Sequence, residues 1–316
     1  MKKVILTGLF VLSGMFAFSQ TVAVSGTVSD QNGKPVPFAF ISDSQHPYAT
    51  FSDRDGRFTL MADPISNLII TATTFPESRV AIDTHADMKI ILPGTIPGNI
   101  PKVKNVFKDK ESSVNMTENS LTRIGNHQDT LHGSRFLFGN WVHGYGITPK
   151  NLVKQNDGYL FNYDKMEGNL IFTSDGGNSV HDVLKEEIKG FILFDDNAQP
   201  YVFEDVQAIN PKRYVEVLSS GNKYKIYKDL GTKFIKSNYT TNGISSSGNN
   251  YDEYADESVY YVVKLPDGQP QKISLRKKAI KTVFAADADK VNKFLADNDT
   301  DIDDAYLKKL GDYMNQ

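Results

Sequence analysis

Four aspartates at alternate positions, Asp297, Asp299, Asp301 and Asp303, form the densest run of potential metal ligands in the chain. A helix–loop–helix calcium site needs Gly at its sixth position and a bidentate Glu at its twelfth. Counted from Asp297, those places hold Ile302 and Lys308, so the run reads as a solvated turn between helices. Asp53-Arg54-Asp55-Gly56 and Asp30-Gln31-Asn32-Gly33 lack a third oxygen ligand and a distal Glu, and also read as turns. The histidines are His46, His85, His127, His132, His143 and His181, and none stands three or four residues from another. A metal site would therefore have to be assembled from distant parts of the chain. Gly243 to Gly248 misses the G-x-S-x-G spacing by one residue, no phosphate-cradling G-x-x-x-x-G-K-[ST] run occurs, and cysteine is absent. No catalytic residue, cofactor or metal is expected, and the chain reads as a non-enzyme.

Aromatic residues give the remaining candidates. Trp141-Val142-His143-Gly144-Tyr145-Gly146 sets the only Trp beside His and Tyr between glycines. Rings in a glycine-flexed loop bury much area at little entropic cost, which suits stacking on a sugar or anchoring a partner; the alternative is that Trp141 fills a core. Tyr239, Tyr251 and Tyr254 lie in a Ser/Asn/Gly-rich stretch, Ser237 to Ser258, with Asp252, Glu253, Asp256 and Glu257. That stretch reads either as an adaptable recognition surface or as a hairpin insertion without fixed structure. Trp141, His143, Tyr145, Tyr239, Tyr251 and Tyr254 together are the candidate ligand or partner surface. Arg276, Lys277, Lys278 and Lys281 make a basic patch, but Asp287, Asp289 and Glu257 offset it, leaving a weak field for anionic lipid and favouring a solvated helix flank.

The elements that carry these residues begin with an export signal. Lys2 and Lys3, the apolar run Val4 to Phe18 and the small residues Ala17 and Ser19 spell a secretory signal peptide over residues 1–19, cleaved between Ser19 and Gln20. The expected location is the periplasm or the periphery of the outer membrane. Without cysteine the chain is neither disulfide-stapled nor acylated as a lipoprotein, and no later run reaches the roughly 18 apolar residues of a membrane span. The formal charge of −3 falls to about −5 once the two lysines leave, opposite to the basic surplus of a nucleic-acid binder. Apolar content of 40% and charged content of 23% in 316 residues leave room for two globular domains.

The first domain, residues 20–93, has strands punctuated by tight turns. Val22, Val24 and Val28 alternate with polar residues up to Asn32-Gly33, Phe58 and Leu60 follow the turn at Gly56, and Leu68 to Thr71 and Lys89 to Leu92 are β runs. Gly26-Thr27-Val28-Ser29-Asp30, Gly33-Lys34-Pro35-Val36-Pro37-Phe38-Ala39 and Ser52-Asp53-Arg54-Asp55-Gly56-Arg57-Phe58-Thr59-Leu60 resemble the carboxypeptidase regulatory-like domain. The resemblance implies a prealbumin-like sandwich of seven strands that docks or supports another part, as in exported Bacteroidota proteins and ahead of the plug of TonB-dependent receptors. At Thr74-Phe75 such relatives usually carry Gly followed by an aromatic. Peptidase chemistry is not implied, because no His here is spaced to Glu as a zinc pair requires.

Residues 94–132 read as linker, proline-spaced and polar, with Asp129-Thr130-Leu131 matching a pattern used for O-glycosylation at Thr130 or standing as an ordinary loop tripeptide. Residues 133–316 read as a second antiparallel β-rich domain, with short apolar runs such as Tyr159 to Tyr163, Phe191 to Phe194 and Tyr224 to Tyr227, ending in two or three short helices over about 276–314. Gly133-Ser134-Arg135-Phe136-Leu137 and Tyr163 to Phe172 are loosely similar to an uncharacterised exported Bacteroidota domain, which implies no activity. The chain as a whole is expected to be mainly β and to serve interaction or scaffolding with an envelope protein partner; the alternative is a glycan- or peptide-binding accessory of outer-membrane uptake.

Overall fold

The computed structural model describes residues 21–95, 109–111, 131–241, 245–266 and 268–316; the signal segment with Ser19 and Gln20, and Thr130, lie outside the described residues. The protein is mainly β, with several antiparallel sheets and three C-terminal helices.

Seven strands form the N-terminal sandwich: β1 (Val22–Ser29), β2 (Phe40–Asp43), β3 (Ala49–Phe51), β4 (Arg57–Ala62), β5 (Asn67–Thr71), β6 (Ser78–Ala81) and β7 (Met88–Ile91). They make a three-stranded sheet, β4-β1-β7, and a four-stranded sheet, β3-β2-β5-β6, in which β1 and β7 are the parallel pair. Side-chain alternation decides which face is inward. Phe58, Leu60 and Ala62 of β4 are buried while Arg57, Thr59 and Met61 are exposed, and they meet Val24, Val28, Ile41, Leu68, Ile70 and Ile90 in one core. The aspartate-led runs are indeed turns. Asp30 Oδ1 accepts from the amides of Asn32 and Lys34, and Asp53 Oδ1 does the same for Asp55 and Arg57, with Gly33 and Gly56 supplying the positive φ. Thr74 also has a positive φ, 73°, where the resembled family carries Gly.

β8 (Asp109–Glu111) falls in the stretch read as linker, yet it pairs with β13 (His181–Val183). Asp109-Lys110-Glu111 contains no apolar residue, so no hydrophobic period announces this edge strand. Then follow β9 (His143–Ile147), β10 (Val153–Lys154), β11 (Leu160–Asp164), β12 (Asn169–Thr173), β14 (Gly190–Phe194), β15 (Pro200–Glu204), β16 (Val215–Ser220), β17 (Tyr224–Ile235), a small hairpin of β18 (Thr240–Thr241) and β19 (Ser246–Ser247), β20 (Glu253–Lys264) and β21 (Gln271–Ile273). They build an eight-stranded antiparallel sheet, β10-β9-β14-β15-β16-β17-β20-β21, and a four-stranded one, β11-β12-β13-β8.

Register sorts the large sheet into two faces. One row runs Gly146, Phe191, Phe203, Glu216, Lys228, Tyr260 and Ile273. On this face Phe191 and Phe203 pack with Tyr163, Phe161 and Leu170 of the four-stranded sheet. At its far end the sheet meets α1 (Lys277–Val283), α2 (Ala288–Asp297) and α3 (Asp304–Asn315), whose Ile280, Phe294, Leu307, Leu310 and Met314 bury against Ile226 and Ile273. The adjacent row, Tyr145, Ile192 and Val202, faces the other way. The aspartate run between α2 and α3 includes the α3 N-cap: Asp303 Oδ1 accepts from the Tyr306 amide at 2.8 Å. No described helix is long and apolar enough to cross a membrane.

Candidate functional site

His143, Gly144 and Tyr145 were expected in a flexible loop, but they lie in β9, second from the edge of the large sheet and paired by β10 on one side and β14 on the other. The glycines had suggested a loop; Gly144 is instead required by close packing, because a Cβ there would stand 2.7 Å from Leu193 Cδ2 and 2.8 Å from the Ile192 carbonyl oxygen.

The outward row of β9 and β14 is covered by the sandwich. Phe40 and Phe51 point away from the sandwich core and join Tyr145, Ile192 and Phe194 in a separate apolar cluster, with Phe38, Ala49, Ile147, Val153 and Val202 around it. Phe51 lies 5.1 Å from Phe194, Phe40 lies 5.6 Å from Tyr145, and the His143 ring stacks on Phe38 at 4.5 Å and 23°. Three polar contacts fasten the same seam: Tyr145 OH donates to the Ala49 carbonyl at 2.8 Å, Arg54 Nε to the Asp196 carbonyl at 3.0 Å, and Thr71 Oγ1 to Asp157 Oδ1 at 3.3 Å. Burial pushes the Tyr145 phenol far above its ordinary pKa and holds the His143 imidazole below its own. Tyr145 is 4% exposed, so its ring is used up in joining the two units. Trp141 belongs elsewhere: it is partly buried against Phe136, Ile171 and Val180, with its Nε1 so near Gly177 that a Cβ there would stand 2.6 Å away.

The three tyrosines of the other stretch gather on a hairpin arm. β17 and β20 pair along their full length, from Tyr224 opposite Lys264 to Ile235 opposite Glu253. β16 pairs no further along β17 than Lys228, and β21 pairs β20 over Tyr260 to Val262. The halves Asp229 to Ile235 and Glu253 to Val259 therefore extend past their sheet neighbours. Their base is clamped by charge-assisted bonds. Arg213 donates to the carbonyls of Leu230 and Met166, Lys165 pairs with Asp256 at 2.5 Å, and Arg135 grips the buried Asp164 at 2.6 Å. Further out, the Tyr254 amide donates to the His132 carbonyl, the His132 ring stacks on Tyr251 at 3.9 Å, and Tyr254 tilts onto Phe234 at 5.1 Å. Tyr251 and Tyr254 thus brace the arm, while Phe234 (38%), Ile235 (39%), Tyr239 (51%) and the neighbouring Leu131 (43%) remain exposed. The structure brings Tyr251 and Tyr254 together with Tyr239 on one hairpin system and puts Trp141 and Tyr145 in two other places.

One constellation had no sequence signal. Glu216 and Lys228 are neighbours across β16 and β17, Lys228 Nζ lies 3.9 Å from Glu216 and 2.5 Å from Asp304 at the start of α3, and Tyr260 OH donates to Asp304 at 2.7 Å. Burial raises the Glu216 carboxyl from 4.5 to about 6, Lys228 opposing and Asp304 adding to the rise. A raised carboxyl beside a second carboxyl group is the pattern of acid–base pairs. Here, however, the ammonium of Lys228 bridges the two carboxylates, so the group acts as an ionic latch holding α3 to the sheet. Its four members are far apart in sequence and only strand register unites them. Among the described residues no group of three or more His, Asp or Glu is arranged to hold a metal.

No known family model, curated protein or solved structure matches this chain.

Proposed function

We propose that this chain is an exported, non-catalytic protein of the cell envelope that works by holding a partner protein. The observation that carries this reading is the braced hairpin arm, which presents Phe234, Ile235 and Tyr239 to solvent beyond the sheet that anchors it. Exposed apolar residues on an arm that many hydrogen bonds keep rigid lose little entropy on binding, the condition for an interaction hot spot. The sandwich supports the reading from the other side: its motifs resemble a docking module, and it is joined to the second unit through ring packing. The signal-like N-terminus supports export.

The test is site-specific photocrosslinking in the native envelope. A benzophenone side chain at position 234 or 239 should give one discrete, stoichiometric adduct, lost when Ile235→Ser is added, while the same group at Lys89 on the sandwich surface gives none. Equal labelling from all three positions, or none from the arm, would remove the basis for the proposal.

A further inference from the structure

The seam between sandwich and sheet places one imidazole, His143, among aromatic side chains. His143 is stacked on Phe38 at 4.5 Å and tilted to Phe51 at 5.4 Å, both from the sandwich. Its register partner on β14 is Phe194, also in the apolar cluster. Phe38 meets the imidazole from a left-handed backbone with φ 53°, its amide donating to the Ser52 carbonyl of its own sandwich at 3.0 Å.

We propose that docking of the sandwich on the eight-stranded sheet is pH-responsive: proton uptake by His143 weakens the seam and uncovers the apolar faces of Phe40, Phe51, Tyr145 and Phe194.

The charged groups around the ring set the sign. Asp157, beyond β10, is the carboxylate that acts on His143 and favours its charged form, but loss of water around the ring outweighs it. Asp157 Oδ1 is itself engaged by Gln155 Nε2 at 2.7 Å and by Thr71 Oγ1 of the sandwich. Arg54 borders the seam from the sandwich side, bonded to the Asp196 carbonyl, whereas Lys154 stands in the row of Gly146 on the opposite face and pairs with Glu187 at 2.6 Å. On the sandwich side the described ring contacts of His143 are the two phenylalanines. A ring that binds its proton less readily when docked stabilises docking fully above its ordinary value of 6.5. That contribution is lost as pH falls from 6.5 through the docked value. Release breaks the Thr71–Asp157 hydrogen bond, a cost to opening that does not depend on the His143 proton.

The absence of cysteine lets the full chain be labelled cleanly. With dyes on Lys89→Cys in β7 and Lys293→Cys in α2, the open fraction read by energy transfer should rise between pH 7.5 and 5.0. The rise approaches tenfold in the opening constant for each unit by which docking lowers the ring's pKa. His143→Gln should flatten the profile. A wild-type profile that is flat down to pH 4.5, or one that His143→Gln leaves unchanged, overturns the proposal. If His143→Gln does not fold, NMR titration of the His143 ring in the wild-type chain decides: a midpoint below 6.5 supports the device and one above it refutes it.

Discussion

Phe51→Ala is the most informative single substitution because the position of the ring assigns its energy. Phe51 sits on β3 of the sandwich and is 3% exposed, yet its neighbours are Phe40 and Phe194 at 5.1 Å and His143 at 5.4 Å, not the sandwich core. Truncating a buried Phe typically costs about 3–5 kcal/mol, set against about 5–15 kcal/mol for a whole domain. Nearly all of that loss should fall on docking. The assay is urea unfolding with two probes: fluorescence of Trp141, the only Trp and outside the sandwich, and methyl NMR of Ile41 and Ile70 in the sandwich core. In the wild type the two transitions should coincide. In Phe51→Ala they separate, each unit keeping its own cooperative unfolding. If they still coincide with a loss under about 1 kcal/mol, the ring does not join the units. If the Ile41 and Ile70 signals are lost without urea, the ring belongs to the sandwich core.

Two further substitutions test local physics. Thr74→Gly should stabilise the protein by about 1 kcal/mol, since Thr74 holds a φ of 73° that Gly adopts without strain; a lower midpoint in urea would mean that the Thr side chain contributes more than the strain costs. Glu216→Gln should remove a pH dependence. Because the folded carboxyl titrates near 6 against 4.5, its contribution is fully present below pH 4.5 and lost as pH rises through 6, a difference of about 2 kcal/mol. The Gln variant should therefore equal the wild type near pH 4 and exceed it at pH 7.5; a variant weaker than wild type at pH 7.5 would show that pairing with Lys228 outweighs burial.

Alternation made the sandwich legible in advance, because Phe58 and Leu60 or Val24 and Val28 repeat at period two and aspartate-led turns separate them. The seam was less legible. In Phe40-Ile41 consecutive apolar residues go to opposite faces, Ile41 to the sandwich core and Phe40 to the seam, and a two-sided burial erases the alternation that marks a strand. β9 was hidden by its glycines, which mark close approach as often as flexibility. In the arm, the polar residues of β20 gave no apolar period, so Glu253 to Ser258 resembled loop although they pair residue for residue with β17. The ionic latch of Glu216, Lys228, Tyr260 and Asp304 depends on register alone, which no local pattern encodes.

The central physical claim is that rings from both units lock the sandwich onto the eight-stranded sheet as one body, from which the arm projects. The direct measurement is nitrogen-15 relaxation at neutral pH, comparing rotational correlation times from amides of β1, β4 and β5 with those of β14, β16 and β17. One common correlation time is the predicted result; faster tumbling of the sandwich amides would contradict it.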